Sequence, residues 1–400
     1  MMYWHKRILE SKFLNFIVVI SFIVLLVSFY SSSFYLFAFS LTFSLFGLLS
    51  KWYLKKVGNQ LVINHQKQKI KLFPNESGEL EVRLEHYGKV PIINSSLRLY
   101  LDDVVDCSPL SSGEQRKLVE ALIPVTLSAR EVIEIRLPIT ARRRGFSKIR
   151  SVDLSIPHPF GFGLAYLEYN PMLHHEIIIY PTPLSVDGIE QILPKRQGTY
   201  PNRRSLFEHQ SSPIGTRNYT PSDPFNRINW KATARTQLLQ TKVYEKTSQF
   251  AWSIIVTIKD GNGLIANLEN VLSYITYICY VATKRNIMFE LFINIRSAGK
   301  SPFFHLPLGE GAEQLDKALE MLARVNQHSV LISLEKMMYF IEKNHVLAPF
   351  VIFAGGQQED QLVMTRLVKH NEAIYYVVDS GESGTLQQLR RRVNVSVSYG

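Results

Sequence analysis

Cysteine is almost absent from this sequence of 400 residues, which contains only Cys107 and Cys279. The two fall in different predicted domains, and neither has a second cysteine in Cys-x-x-Cys spacing. Disulfide frameworks, structural zinc sites and dithiol redox sites all need such clusters, so the sequence argues against each of them. Cys279 lies in an apolar helical stretch, which is typical of core packing, and the pattern fits a reducing compartment.

Acidic residues are fewer than basic ones: the sequence has 34 Asp and Glu but 45 Lys and Arg, which gives a formal net charge of +11. A basic balance permits acidic lipid, nucleic acid or an acidic protein as the partner. The sequence contains no groove-reading motif, so we expect no nucleic-acid partner. A membrane protein whose basic residues flank its spans accounts for the charge best.

The common catalytic and nucleotide-binding motifs are also missing. There is no Gly-x-x-x-x-Gly-Lys-Ser/Thr loop, no Gly-x-Gly-x-x-Gly after the first α/β strand, no His-Glu-x-x-His and no Gly-x-Ser-x-Gly. His174 and His175 are adjacent, so on a strand they would point to opposite faces and could not share a metal ion. Asp260 follows a buried strand, where a turn or cap is commoner than a catalyst. We therefore expect neither enzyme activity nor a cofactor.

Two charge-free apolar runs, residues 13–30 and 34–49, are separated only by three serines. Each run is about the minimum that crosses a bilayer core of roughly 30 Å. A cleaved signal peptide would be followed by polar sequence rather than by a second apolar run. The alternative of a buried helical pair in a soluble protein is disfavoured, because the runs are apolar on all faces.

The orientation of this hairpin follows from its basic flanks. Lys6, Arg7 and Lys12 precede the first run, Lys51, Lys55 and Lys56 follow the second, and the connecting loop has no charge. The positive-inside rule then places both termini and the soluble domains in the cytoplasm, with the hairpin in the inner (plasma) membrane. Trp4, Trp52 and Tyr53 occupy positions typical of interfacial aromatic anchors.

The remaining chain changes its periodicity twice, and we predict four segments: 1–56, the transmembrane hairpin; 57–182, a β-rich domain; 183–249, a linker; and 250–400, an α/β domain. In the β-rich domain, residues 80–85 and 132–137 alternate apolar and polar side chains, and shorter runs at 61–63, 70–72, 97–101 and 152–156 lie between turn signals. This pattern predicts an antiparallel β-sandwich of immunoglobulin-like type.

Strands and helices alternate after residue 250. We predict strands at 252–258, 287–293, 349–354 and 373–378, and helices at 264–285, 311–324, 329–343 and 358–369. This alternation predicts a doubly wound, mainly parallel sheet with helices on both faces.

Two loops of the β-rich domain carry residues of functional interest. Arg142, Arg143 and Arg144 precede Gly145 and would suit a phosphate or lipid headgroup, although a solvated turn is the preferred interpretation. Residues 157–163, Pro-His-Pro-Phe-Gly-Phe-Gly, are expected to form a rigid loop that buries its two phenylalanines.

The segment 215–236 is rich in turn formers and basic residues. Residues 221–224 predict a turn that leads into a short helical turn. Asp223 is the single acid among Arg217, Arg227, Lys231 and Arg235, and could lock the loop by accepting from Arg217, Arg227 or backbone N–H groups. Trp230 is expected to be half buried.

This segment, termed the signature loop below, resembles the signature of the bacterial family called domain of unknown function fifty-eight, Gly-x-Arg-x-Tyr-x-x-Gly-Asp-x-x-Arg-x-Ile-x-Trp followed by Lys and Ala-Arg. The matching residues are Gly215, Arg217, Tyr219, Asp223, Arg227, Ile228, Trp230, Lys231, Ala234 and Arg235. Ser222 replaces the usual glycine and Asn229 the usual aspartate. Arg144-Gly145, Pro159-Phe160-Gly161 and Tyr180-Pro181 are similar to further landmarks of the family in the same order, as is the pair of spans.

The resemblance implies that the C-terminal domain is similar to the von Willebrand factor A domain, which often binds Mg²⁺ through Asp-x-Ser-x-Ser after its first strand. The corresponding residues here are Thr257, Ile258, Lys259, Asp260 and Gly261. The first aspartate and both serines are missing, and Lys259 would place a positive charge beside the ion. Because a hard cation needs several oxygen ligands, we expect that no metal binds.

Members of the family typically accompany MoxR-type AAA ATPases and often transglutaminase-like membrane proteins. The resemblance therefore implies an adaptor role, with the signature loop either structural or a docking site. A basic binder of lipid or nucleic acid, using Arg142–Arg144, the signature loop and Arg390–Arg392, is the main alternative. A hydrolase that depends on Asp223 or Asp260 is a third.

Overall fold

Mixed α/β architecture with two apolar N-terminal helices is seen in the computed structural model of the chain. It describes residues 4–31, 33–64, 67–107, 111–115, 118–171, 173–193, 200–201, 208–248, 250–260, 263–326, 328–356, 360, 363 and 373–389. The chain divides into two compact units, Met1–Tyr180 and Pro181–Gly400. Arg390–Arg392 and most of the helix predicted at 358–369 lie outside the described residues.

The helices and strands are numbered in chain order. The helices are α1 (Lys12–Ser31), α2 (Phe34–Lys56), α3 (Trp230–Thr236), α4 (Leu268–Lys284), α5 (Gly311–Ala323) and α6 (Leu334–Asn344). The strands of the first unit are β1 (Trp4–Glu10), β2 (Leu61–Ile63), β3 (Lys69–Leu72), β4 (Ser77–His86), β5 (Ile92–Asp102), β6 (Val105–Asp106), β7 (Ser111–Gln115), β8 (Leu118–Leu127), β9 (Val132–Ala141), β10 (Gly145–Lys148), β11 (Ser151–Pro157), β12 (Gly163–Tyr169) and β13 (Glu176–Ile179). The strands of the second unit are β14 (Val186–Asp187), β15 (Tyr200–Pro201), β16 (Glu208–Asn218), β17 (Gln240–Ser248), β18 (Ala251–Thr257), β19 (Lys259–Asp260), β20 (Gly263–Leu264), β21 (Met288–Arg296), β22 (Phe303–Gly309), β23 (Phe350–Gly355), β24 (Ala373–Asp379) and β25 (Gly384–Gln388).

Helices α1 and α2 cover the two predicted spans and pack against each other as a hairpin, with the Phe29 and Phe37 rings 5.9 Å apart near its closed end. Both are long and apolar enough to cross a membrane by length and composition. Only 17% of each apolar stretch is buried within the protein, so this is not the buried core pair of a soluble domain. Exposed apolar surface of this extent indicates membrane association.

Strand β1 was not predicted, since residues 4–10 were assigned only as a basic flank. It pairs antiparallel with β12 along its whole length, from Trp4 opposite Tyr169 to Glu10 opposite Gly163. Trp4 is 7% exposed and packs edge-on against Tyr169, so its expected role as an interfacial anchor is wrong. Because β1 precedes the helical hairpin and β12 follows it, one sheet joins the two flanks of the hairpin.

The β-rich part of the first unit contains a six-stranded sheet (β1-β12-β11-β5-β8-β7), a four-stranded sheet (β2-β4-β9-β6) and a three-stranded sheet (β10-β13-β3). Their alternating side chains meet in one core, as Leu80, Val82 and Leu84 of β4 do. The runs predicted at 61–63, 70–72, 80–85, 97–101, 132–137 and 152–156 lie within β2, β3, β4, β5, β9 and β11. Period-two alternation thus located these strands, because each buries one face.

The second unit is built on a seven-stranded sheet in the order β14-β25-β24-β23-β18-β21-β22. Its centre is parallel: β18 pairs with both β21 and β23, and β23 pairs with β24. All residues of β18 are buried, since Ile254 and Val256 face a core shared with α4 and α5, while Ile255 faces one shared with α6. Continuous apolar strands are expected when helices cover both faces of a parallel sheet.

The edges of this sheet differ from the prediction. β22 and β25 add antiparallel at opposite sides, and β14 pairs parallel with β25. Ile189 and Ile192 are buried in the same core as α4. Residues 186–192, which were assigned to the linker, therefore belong to the α/β fold.

Candidate functional site

The signature loop connects two long antiparallel strands, β16 and β17. Their last pairs are Arg217 opposite Thr241 and Asn218 opposite Gln240. The side-chain amide of Gln240 donates to the Asn218 side chain at 2.7 Å, and the Tyr219 N–H donates to the Leu239 carbonyl at 2.9 Å. Two extended strands thus hold both ends of the loop.

Asp223 is the centre of the hydrogen bonding within the loop. Arg217 donates to both of its carboxylate oxygens, at 2.8 and 2.5 Å. The Thr220 N–H and hydroxyl donate to Oδ2 at 3.0 and 2.9 Å, and the Thr241 hydroxyl donates at 3.3 Å. The Arg217 guanidinium and the Thr220 N–H hold the pKa of this carboxyl well below its ordinary value. Asp223 therefore joins β16, the turn and β17 as one clamp, as the sequence predicted for Arg217.

The second half of the loop is anchored at Ile228 and Asn229. Ile228 is buried and forms an isolated bridge with Thr241. The Asn229 side chain caps helix α3 by accepting from the Ala232 N–H at 3.2 Å. Asparagine and aspartate cap helices equally well, so Asn229 serves at this position as an aspartate would. Ser222 does not adopt the left-handed conformation that would require the usual glycine.

Large apolar side chains face solvent in the loop and in the short segment between it and β17. We call them the apolar tip: Phe225 (70% exposed), Trp230 (62%), Leu238 (61%) and Leu239 (44%). The expectation that Trp230 is half buried is therefore wrong. The backbone hydrogen bonds of α3 and the Asn229 cap fix the Trp230 backbone without a pocket for its ring. The half-buried Tyr219 packs edge-on against Phe225, with ring centroids 6.1 Å apart.

The basic residues of the signature lie in three environments. Arg217 is bound to Asp223, and Arg227 is partly buried. Lys231 and Arg235 are exposed and stand one turn apart on α3, where side chains four residues apart share a face. Gly215 lies in β16 opposite Val243. The loop thus exposes both apolar and basic side chains on a backbone that hydrogen bonds hold in place.

A buried amide lies at the carboxyl end of β18, beside Thr257 and Ile258. Asn294 of β21 accepts from the Ile258 N–H at 2.9 Å and donates to the Thr257 hydroxyl at 3.1 Å. Within the described residues, no group of three or more His, Cys, Asp and Glu side chains is close enough to share an ion. The Asp260 side chain and Gly261 lie outside the described part of the chain.

A buried titratable cluster in the second unit was not predicted. Ser253 of β18 donates to Glu290 of β21 and accepts from the Ala348 N–H at 2.7 Å. Burial raises the pKa of Glu290 to about 7. His305 lies 4.0 Å from the Glu290 carboxylate and faces His345. Burial, and to a smaller extent the neighbouring His345, lowers the pKa of His305 to about 4. A cavity of about 600 Å³ opens beside the two histidines.

Asp379, at the carboxyl end of β24, was also missed. It accepts from the Tyr274 hydroxyl and the Asn267 amide at 2.7 Å each, and from the Gly381 N–H at 2.8 Å. Burial alone would raise its pKa, but these hydrogen bonds lower it below the ordinary value. The residue ties α4 to the end of the sheet, which is a structural role.

The arginine run before Gly145 is largely engaged with carboxylates. Arg143 lies 2.6 Å from Asp103, and Arg142 lies 3.8 Å from Asp106. This pairing fits the solvated-turn interpretation better than a site for phosphate or a lipid headgroup.

Comparisons with known proteins give no functional lead. No family model matches this chain, and no curated protein matches it. Solved structures with partial similarity include a CARDB domain from Pyrococcus furiosus (12% identity, covering 30% of this chain and 90% of that one, TM-score 0.19). They also include a cohesin from Acetivibrio cellulolyticus scaffoldin B (11%, 30% and 97%, TM-score 0.18) and a beta-glucosidase from Listeria innocua (14%, 30% and 16%, TM-score 0.18). Similarity at these TM-scores carries no argument about this chain.

Proposed function

We propose that this chain is a membrane-anchored, non-catalytic adaptor whose signature loop docks a MoxR-type AAA ATPase. The observation that carries the proposal is the apolar tip, held in solvent by a loop that the Asp223 clamp fixes. The few residues that dominate binding energy in protein interfaces are enriched in tryptophan, tyrosine and arginine, and a fixed loop loses little entropy on binding. Trp230, Phe225 and Arg235 combine these properties on one segment.

The anchor is the α1–α2 hairpin in the inner membrane, with both termini and the soluble units in the cytoplasm. The pairing of β1 with β12 supports a hairpin whose two flanks lie on the same side of the bilayer. The basic residues of both flanks favour the cytoplasmic side by the positive-inside rule.

Membership in the family called domain of unknown function fifty-eight is part of the same proposal. It is supported by the length of the signature and by the order of the other landmarks along the chain. A C-terminal domain of von Willebrand factor A type fits the parallel centre of the second unit's sheet. The association with MoxR-type ATPases, and with transglutaminase-like membrane proteins, is carried over from that family by analogy.

Binding of a purified MoxR-type AAA ATPase from the same organism to the detergent-solubilised full chain tests the proposal. Trp230→Ala and Phe225→Ala are each expected to weaken the complex by about 2 kcal/mol, roughly thirtyfold in Kd, as the loss of an exposed aromatic hot spot does. Tyr339→Ala is the matched control, because Tyr339 is an equally exposed aromatic (67%) on α6.

Three outcomes are distinguishable in this experiment. Loss of binding in both tip variants with full binding of the control supports docking at the loop. Equal binding of all variants rejects the loop as the docking site while keeping the ATPase as a partner. Absence of binding by the unaltered chain rejects the partner itself.

A further inference from the structure

The loop between β11 and β12, residues 157–163, departs from its predicted role. It was expected to bury both phenylalanines, yet Phe160 is 67% exposed and Phe162 is half buried. The rings lie against the helical hairpin instead. The Phe46 ring of α2 is 5.3 Å from the Phe160 ring and 5.7 Å from the Phe162 ring, and Phe13 of α1 stacks on Phe162 at 6.3 Å.

These contacts show which part of the hairpin the loop lies beside. Phe46 lies within the charge-free run of α2, five residues before Lys51, which is roughly 7 Å along the helix axis. Phe13 is the first residue after Lys12 and begins the charge-free run of α1. Lysines at the ends of spanning helices stay at the headgroup level. The two loop rings therefore lie on the apolar side of both lysines.

The backbone of the loop is closed on itself and on the hairpin. The His158 N–H donates to the Gly163 carbonyl at 2.8 Å, and the Gly161 N–H returns to the His158 carbonyl at 2.9 Å. The Ser11 N–H donates to the Phe162 carbonyl at 3.0 Å. The first two bonds close the loop on itself, and the third connects it to the residue before α1. The position of the loop beside the hairpin is therefore held by backbone hydrogen bonds.

The two glycines allow this conformation. Gly161 adopts φ +74°, which is unfavourable for residues with a side chain. A Cβ at Gly163 would lie 2.7 Å from the Leu9 carbonyl oxygen of β1, so only glycine permits this approach. The sole titratable side chain, His158, is buried, and burial lowers its pKa, which favours the neutral form. The loop therefore presents an uncharged aromatic surface.

We infer that the 157–163 loop inserts Phe160 and Phe162 into the boundary between headgroups and acyl chains of the same bilayer that α1 and α2 enter. The loop is then a third membrane contact, which orients the β-rich part of the first unit on the membrane surface. Aromatic rings are favoured at this depth because their apolar faces leave water while the loop backbone stays near polar groups. The inference rests on the proposed membrane anchoring.

Depth-dependent quenching in vesicles tests the inference. The full chain is reconstituted into phosphatidylethanolamine and phosphatidylglycerol that contain a nitroxide lipid labelled near the headgroup or near the chain end. Phe160→Cys carries an environment-sensitive thiol-reactive fluorophore. Cys107 and Cys279 are buried and do not compete for the label, and the unaltered chain measures residual labelling.

Two further cysteine variants calibrate the depth. Phe22→Cys lies in the middle of α1 and is 57% exposed. Glu79→Cys is an exposed site near the start of β4, whereas the other end of β4, at His86, pairs with Leu61 shortly after the hairpin. We expect a blue-shifted emission at position 160 that is quenched more by the shallow nitroxide than by the deep one. The deep nitroxide should quench position 22 more strongly, and position 79 should be quenched by neither.

The outcomes separate this inference from the anchoring on which it rests. If position 22 is quenched but position 160 resembles position 79, the hairpin is anchored and the loop insertion is overturned. Emission at position 160 that is blue-shifted but unquenched would mean that protein covers the ring, which also overturns the insertion. If position 22 is not quenched, the anchoring and the insertion fail together.

Discussion

At the residue scale, Asp223 shows how one carboxylate organises the candidate site. Its donors come from β16, from the turn and from β17, so no single element holds the loop. A carboxylate that accepts a bidentate arginine and a backbone N–H is a strong charge-assisted acceptor. The main role of Asp223 is therefore to hold the conformation of the loop, and its effect on the surface charge is secondary.

Asp223→Ala is expected to loosen the loop, because Arg217 and Thr220 lose their common acceptor. Hydrogen exchange at the Thr220 and Asp223 amides should accelerate, and ATPase binding should weaken as a consequence. Arg235→Ala is the contrast: it should weaken binding while changing stability by no more than about 0.5 kcal/mol. A variant Asp223→Ala with unchanged exchange but lost binding would place the acid in the interface instead of the clamp.

The same clamp has a defined pH dependence. Folding lowers the pKa of Asp223. Its contribution to the free energy of unfolding is therefore fully present above the ordinary pKa of 3.8, and is lost as the pH falls through the lower pKa of the folded protein. Exchange protection at Thr220 should therefore persist at neutral pH and disappear only under acidic conditions.

The pH dependence of stability that arises from Glu290 has the opposite sign. Its folded pKa of about 7 lies above the ordinary 4.5, so its protonated form is favoured in the fold and stability falls as the pH rises between these values. The loss is on the order of 3 kcal/mol if the whole shift is realised. Glu290→Gln should remove most of this dependence in urea unfolding of the solubilised chain. Glu313→Gln, at an exposed site on α5, is the control, and an equal effect of both variants would contradict the assignment.

At the element scale, Lys6 links strand β1 to the end of helix α2. Its ammonium donates to the carbonyls of Lys55 and Val57 at 2.9 and 2.6 Å, and to the Asn59 side chain at 3.0 Å. A cation at this end of a helix satisfies carbonyls that have no partner within the helix and interacts favourably with the helix dipole.

Lys6→Met is expected to destabilise the first unit by about 1–3 kcal/mol, since hydrogen bonds to a charged group are lost. Arg7→Met removes the same charge from the next residue, whose contact with Glu168 is an exposed pair at 3.6 Å. Such pairs contribute little, so Arg7→Met should be nearly neutral. Thermal unfolding in detergent distinguishes the variants, and equal shifts would attribute the effect to net charge instead of capping.

Strands that bury one or both faces were predictable, because burial imposes a periodicity on their own residues. The run at 132–137 alternates and lies in β9, and the apolar run at 252–258 overlaps all of β18 except its first residue. Strands β1, β22 and β25 were missed, because their residues alternate weakly between apolar and polar side chains. In addition, β1 and β22 lie at sheet edges, where a strand has a single neighbour. The bond from Arg217 to Asp223 was predicted from local charge, whereas the exposure of Trp230 depends on what the rest of the chain leaves uncovered.

At the scale of the whole molecule, the charge asymmetry predicts the topology. A reporter active only in the cytoplasm, fused after Gly400, should be active, and a reporter active only in the periplasm should be silent at the same position. The physical reason is that basic flanks cross the membrane reluctantly while the uncharged serine turn crosses readily. The reverse pattern would reject the proposed orientation, although the pairing of β1 with β12 would still require both flanks of the hairpin on one side.

The β1–β12 pairing also imposes an order on biosynthesis. Glu10 leaves the ribosome well before its partner Gly163, with roughly ten to thirty seconds of translation between them. During that interval α1 and α2 are already synthesised and can enter the membrane, whereas β1 has no strand to pair with until β12 is made. β1 is an edge strand of the six-stranded sheet, so it can be added after the inner strands have paired. The strand that precedes the hairpin can therefore be incorporated into its sheet after the hairpin has formed.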